Sequence, residues 1–176
     1  MLAPEEFKRA LAQFASGVTI VTTVDPQGRP TGLTASAFTS VSLTPPMILV
    51  CVAHSSNSHP SLQAAARFAV NILSQGQDKL SNRFATSSIP GPEKFDGVEF
   101  RKSAFGLPLL EGAMVHIECT TAHAYPGGDH TIFVGQVETA HFADTPAAEP
   151  LLFYRGRYGR LETASSQASS PGGGPR

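Results

Sequence analysis

The chain has 176 residues and a nearly even balance of 13 Lys and Arg against 14 Asp and Glu, which leaves no global field to draw it onto nucleic acid or an anionic membrane. Its length suits one domain with a sizeable core and no need of staples, and no apolar stretch approaches the roughly 18 residues of a membrane span. Cys51 and Cys119 sit inside apolar runs rather than a spaced framework, so they read as small core residues of a reduced, cytoplasmic protein.

Phe7, Ala10, Leu11 and Phe14 recur at helical spacing after Pro4, with Gly17 placed to stop the segment, and predict one amphipathic helix. The β-branched run 18–24, followed by Asp25-Pro26-Gln27-Gly28-Arg29-Pro30, predicts a strand, a turn and a returning strand. A long strand is expected over 35–43, closed by Pro45-Pro46, because paired prolines cannot continue a central ladder. The continuous apolar run 47–53 reads as a buried strand.

Beyond a polar loop at 54–59, Pro60 opens a short helix through Leu62, Ala65 and Ala66. Residues 68–73 return to strand and 78–85 form another short helix. Residues 86–108, rich in Pro, Gly and Ser, suggest a long mobile loop. Segments 113–124 and 131–142 look like a hairpin with an elaborated tip at 125–130. Residues 151–161 make a last, bent strand, which ends a domain over 1–161, and 162–176 form a disordered polar tail. The fold class is mainly β with short α-helices: an antiparallel barrel, since strands and helices do not alternate strictly.

Three places carry candidate chemistry. In the stretch Gly32 to Pro46, alternation puts Ser36, Phe38, Ser40 and Ser42 on one face and Ala35, Ala37, Val41 and Leu43 on the other, so a flat ring or phosphate can approach the backbone closely. An ordinary Ser/Thr-rich strand facing solvent fits the same pattern and is the simpler reading of this stretch alone. The loop His54 to His59 leads into a helix start whose free N–H groups suit an anion, although Ser58 or His59 acting as a plain cap needs the same donors. His130 follows Gly127-Gly128-Asp129 at a loop-to-strand junction, where an imidazole can donate a hydrogen bond or serve as a turn residue. His116 and Cys119, three apart on a strand, face opposite ways and cannot share a metal. With no nucleophile, base or metal set visible, the chemistry would come from a bound cofactor.

In order and spacing, Phe14-Ala15-Ser16-Gly17-Val18, Ile20-Val21-Thr22, the stretch from Thr34 to Pro46, Cys51-Val52, Ser58-His59-Pro60, Phe68-Ala69-Val70-Asn71, Leu80-Ser81-Asn82-Arg83-Phe84-Ala85, Gly128-Asp129-His130 and Tyr158-Gly159 resemble the flavin reductase-like, FMN-binding split-barrel family. These are the reductase components of two-component flavin-dependent monooxygenases. The resemblance implies a split β-barrel homodimer that passes hydride from NADH or NADPH to FMN or FAD and supplies reduced flavin to a partner monooxygenase.

Carried over, Thr34, Ala35 and Ser36 would line the isoalloxazine ring, with Ser40, Val41 and Ser42 along its ribityl and phosphate side. Cys51 and Val52 would pass the ring through their backbone, while Ser58, His59 and Arg83, with Phe84 beside it, would serve the phosphate end. His130 would sit by the nicotinamide with Tyr158 nearby. Ser36-Ala37 stands where many relatives have Asn then Ser, which bears on side-chain contacts to the ring edge. A flavin-dependent oxidase on a related barrel and a non-enzymatic flavin-binding module stay open as rival functions.

Overall fold

The computed structural model describes residues 2–143 and 149–161; the tail expected at 162–176 lies outside them. In chain order the elements are α1 (Pro4–Leu11), β1 (Ser16–Gly17), β2 (Thr19–Val24), β3 (Pro30–Ala35), β4 (Phe38–Leu43), β5 (Pro46–Ala53), α2 (His59–Ala64), β6 (Arg67–Ile72) and α3 (Asp78–Ala85). A 3-10 turn at Pro92–Phe95 follows, then β7 (Phe100–Lys102), β8 (Pro108–Leu110), β9 (Val115–Gly127), β10 (His130–Phe142), β11 (Leu152–Tyr154) and β12 (Arg157–Gly159). Among the described residues no helix is long and apolar enough to cross a membrane.

Seven strands form one sheet in the order β3-β2-β6-β9-β10-β5-β4, with every neighbouring pair antiparallel. The two edge strands, β3 and β4, are consecutive in the chain and joined only by Ser36-Ala37. The sheet therefore curls until its edges meet at that joint, giving the antiparallel split barrel expected from sequence.

The β-branched and aromatic residues that favour strands also fill the barrel. Val21, Val50, Val52, Phe68, Val70, Cys119 and Phe133 form its interior, and each fully buried large side chain contributes roughly 1.5–3 kcal/mol. Ile20, one residue out of phase with Val21, faces the other way. It packs with Leu73, Phe84, Phe95 and Leu110 in a second cluster, which holds α3 and the 3-10 turn against the sheet. Asn71 ties the layers together: its Nδ2 donates to Ile20 O at 2.9 Å and its Oδ1 accepts from Leu110 N at 2.9 Å.

Several expectations need correction. The first helix stops at Leu11, leaving Phe14 beyond it and Gly17 in β1, because that helix buries no residue that would hold further turns in place. The long strand over 35–43 is broken at Ser36-Ala37, where the barrel edge turns, and a register shift between Ser40 and Ser42 resets its alternation. Strand 47–53 is buried on one face only, with Cys51 half-buried on the other.

Segment 86–108 is not an irregular loop. Its 3-10 turn and the β7–β8 hairpin bury Lys94, Phe95, Leu107 and Leu109. The tip at 125–130 reduces to a two-residue turn, Gly128-Asp129, with Gly128 at φ 73°, the left-handed backbone a tight hairpin favours. The last strand is a hairpin, β11–β12, paired with β1 as a separate sheet.

Gly135 marks a β9–β10 register shift, and a Cβ there would lie 2.6 Å from Phe68 Cζ and 2.7 Å from Cys119 Cβ. Gly135→Ala is expected to destabilise the fold by about 1–3 kcal/mol, read as a lower urea midpoint at unchanged m-value.

Candidate flavin site

The outer face of the barrel beside the β3–β4 joint brings the chemistry-bearing residues together. On β5, Ile48, Val50 and Val52 enter the core while Met47, Leu49, Cys51 and Ala53 stand half-buried on the outside. Cys51 N donates to Ala37 O at 3.0 Å, Cys51 is in register with Ile132, and Ala53 is in register with His130. The exposed Ser36-Ala37 joint therefore leads across small apolar side chains to His130, whose ring is 41% exposed. Ser40 and Val41 are exposed and Ser42 is half-buried, its Oγ accepting from Thr44 N at 3.2 Å. Thr19 Oγ1 donates to Ala35 O at 2.6 Å and fixes the end of β3.

A further group of the singled-out residues lies around α3. Thr34 Oγ1 donates to Ser81 O at 2.6 Å, and the Tyr158 hydroxyl lies 2.9 Å from Ser81 Oγ and 2.8 Å from Asn82 Oδ1. These contacts pin β3, α3 and β12 to one another. Arg83 donates from Nε to Lys94 O at 2.6 Å and from Nη2 to Glu93 O at 2.8 Å. Lys94 Nζ donates to Phe84 O at 2.8 Å, and burial pushes the pKa of that ammonium down. Phe84 is fully buried, edge-on to Phe95 at 4.9 Å.

The loop ahead of α2 lies beside the β9–β10 turn. His54 N donates to Asp129 O at 2.9 Å. Asn57 Nδ2 donates to Ser87 O and Ile89 O, which fastens the loop to the segment after α3. Ser58 occupies the N-cap position without a side-chain cap bond; its hydroxyl is fully buried and donates to Gly32 O at 2.7 Å. The His59 ring reaches Thr131 Oγ1 from Nε2 at 2.8 Å. Burial, and then the neighbouring His54, hold the pKa of His59 below the usual imidazole value. At the hairpin turn, His130 Nδ1 and Asp129 Oδ1 are 2.6 Å apart, and that hydrogen bond and the charge of His130 hold the Asp129 carboxyl below its usual range.

Of the residues singled out from sequence, Cys51 and His130 share one outer face, which the Ser36-Ala37 joint borders through Ala37 O; Ser40 and Val41 are exposed farther along β4, with Ser40 opposite the core residue Ile48. Thr34 and Tyr158 converge on Ser81, and His59 joins the loop ahead of α2. Ser58, Val52 and Phe84 differ: their side chains are buried in the core, so only their backbone can meet a ligand. Arg83 is engaged with the carbonyls of the following turn.

Sequence reading missed Ser81, Thr131 and the pairing of Asp129 with His130. Alternation along β10 turns Thr131 inward where His130 turns outward, and that pattern was the available signal. His116 and Cys119 do face opposite ways: Cys119 lies in the barrel interior, and His116 Nε2 bonds Leu110 O at 2.8 Å across the outer layer. The face can take a planar ring, since Ala37, Cys51 and Ala53 are small and the His130 ring stands at its margin beside Ile132, whereas Ser36 lies in the groove between α1 and the β11–β12 hairpin.

The pattern of the flavin reductase like domain matches residues 11–162. The chain belongs to that family. It is 38% identical over 159 residues to the reductase subunit HsaB of a flavin-dependent monooxygenase from Mycobacterium tuberculosis (strain CDC 1551 / Oshkosh), covering 90% of this chain and 83% of HsaB. It is 41% identical over 155 residues to the FMN reductase (NADH) SmoA of Agrobacterium fabrum, covering 88% of this chain and 84% of SmoA. Among solved structures, the NADH:FAD oxidoreductase SgcE6 of Streptomyces globisporus superposes with a TM-score of 0.84 at 42% identity, over 93% of this chain and 97% of that one. SgcE6 has also been solved with NAD and FAD fragments.

The Asp129–His130 contact has a direct consequence. In His130→Ala the Asp129 carboxyl loses its donor, and its titration is expected to rise toward the ordinary 3.8. Side-chain carboxyl NMR across an acid titration measures this, and an unmoved Asp129 resonance would show that the two side chains do not bond in solution.

Proposed function

We propose that this protein is an NAD(P)H-dependent flavin reductase that reduces FMN or FAD and passes the reduced flavin to a partner monooxygenase. The observation that carries the reading is the meeting of the Ser36-Ala37 joint, Cys51 and His130 on one outer face, in a chain whose relatives include named FAD and FMN reductases. Nicotinamide C4 supplies a hydride that flavin N5 accepts, so the reactivity belongs to the two cofactors.

The chain's part is to bind and orient. Backbone at Thr34, Ala35, Ser36, Cys51 and Val52 would border the ring, with Ser40, Val41 and Ser42 alongside. The loop holding Ser58 and His59, braced by Arg83 and Phe84 of α3, would receive the phosphate end. His130, oriented by Asp129, would position the nicotinamide, and Tyr158 would hold α3 in place. A site that ends at the first phosphate leaves the adenosine of FAD in solvent, which makes both flavins acceptable.

The assembly proposed is a homodimer. Phe7, Leu11 and Phe14, 53%, 57% and 78% exposed, line one groove, and large apolar groups clustered this way mark an interface; Leu43, 89% exposed, is a further exposed apolar side chain. Two free cysteines suit a reducing, cytoplasmic setting.

Purified protein with NADH or NADPH and excess FMN or FAD is expected to consume nicotinamide at a rate that scales with flavin. No turnover with any flavin would refute the reading, and turnover that needs an amine substrate would favour an oxidase. His130→Ala is expected to raise the nicotinamide KM roughly tenfold, about 1.4 kcal/mol of lost positioning, while flavin affinity stays within twofold. Phe7→Glu combined with Leu11→Glu is expected to convert the dimer to monomer by light scattering; an already monomeric parent would remove the interface.

A further inference from the structure

Thr131 is the residue on β10 next to His130, and its side chain points to the opposite side of the strand. Its hydroxyl, on a residue only 8% exposed, lies 2.8 Å from His59 Nε2 and 3.2 Å from His54 Nε2. The two imidazoles meet nearly edge-on with centroids 5.0 Å apart, and the His59 ring rests 5.9 Å from that of Phe133 at the end of the core. With the backbone bond from His54 N to Asp129 O at 2.9 Å, the loop ahead of α2 is joined to the β9–β10 tip at three points, and two of them end on a single oxygen.

A buried oxygen without partners costs about 1–3 kcal/mol, whereas valine has the same shape and no polar group to satisfy. A hydroxyl here is therefore accounted for by what it bonds. A threonine hydroxyl carries one proton, so it can donate to only one of the two rings, and the other ring must donate to it. At least one of His54 and His59 must carry its proton on Nε2 for both contacts to exist, which fixes ring orientation as well as loop position.

We propose that Thr131 is a positioning residue for flavin: its hydroxyl holds His54 and His59, and with them the phosphate-facing loop 54–59, in fixed relation to the strand that carries His130. The inference rests on the flavin reductase reading and adds to it a link between the phosphate and nicotinamide ends of the site. Loop and strand are far apart in sequence, and the shared oxygen sets the span that a bound flavin must match.

The test compares the parent with Thr131→Val and Thr131→Ser. FMN and FAD are titrated calorimetrically without nicotinamide, and histidine ring nitrogens are observed by NMR. Thr131→Val is expected to weaken both flavins about tenfold while leaving the nicotinamide KM at saturating flavin within twofold, and Thr131→Ser to return flavin affinity to within twofold of the parent. In the valine protein the ring nitrogens of His54 and His59 shift and those of His116 do not.

Unchanged flavin affinity in Thr131→Val, or a serine variant as weak as the valine one, overturns the proposal while leaving the reductase reading intact. A parent that binds neither flavin overturns both. Should the valine protein fail to fold, the parent spectrum decides: two rings lacking an Nε2 proton at neutral pH cannot both bond Thr131, and the proposal falls.

Discussion

The structure depends on the register between β5 and β10. Side chains alternate along a strand with period two, so a slip of one residue would send His130 into the barrel and bring Thr131 out. The pairing of Ala53 with His130 and of Cys51 with Ile132 is what places an imidazole on the same face as the Ser36-Ala37 joint. That register is set from inside: Val50, Val52 and Phe133 must face the core together, and their burial outweighs any preference of the polar residues between them. The site on the outside is thus fixed by the packing on the inside.

Polar ties do the remaining placement, and each joins segments distant in sequence. Thr34 to Ser81, Asn71 to Leu110, Ser58 to Gly32 and Lys94 to Phe84 all end on backbone atoms of another element. Bonds of this kind add little net stability when made and cost more when broken, so their effect is to exclude other arrangements of α3 and the loop ahead of α2. Arg83 belongs with them: holding the carbonyls of Glu93 and Lys94, it ties α3 to the turn that follows.

Periodicity and turn chemistry made much of the architecture legible from sequence. α3 falls on the residues expected, and β2, β5, β6 and β10 differ from expectation only at their ends. The failures share a cause. Nothing local distinguishes Ser36-Ala37 from its neighbours as a bend, because the bend follows from closing a barrel, and residues 86–108 look like loop until Ala69 offers Leu107 and Leu109 a surface to cover. The same limit applied to the site: the position of His130 could be read from its turn, but the burial of Ser58 and Phe84 depends on partners dozens of residues away.

The shape of the proposed site bears on how it would work. An enclosed pocket covers most of a ligand's surface and so favours retention, whereas this face lies on an open barrel exterior beside the loop ahead of α2. For a protein that must hand reduced flavin to a second enzyme, that openness is an asset, since every added wall would slow release. The apolar side chains exposed around α1 and β4 would add to the enclosure if a second subunit covered them, and retention of a flavin would then depend on that coverage as well as on contacts within one chain.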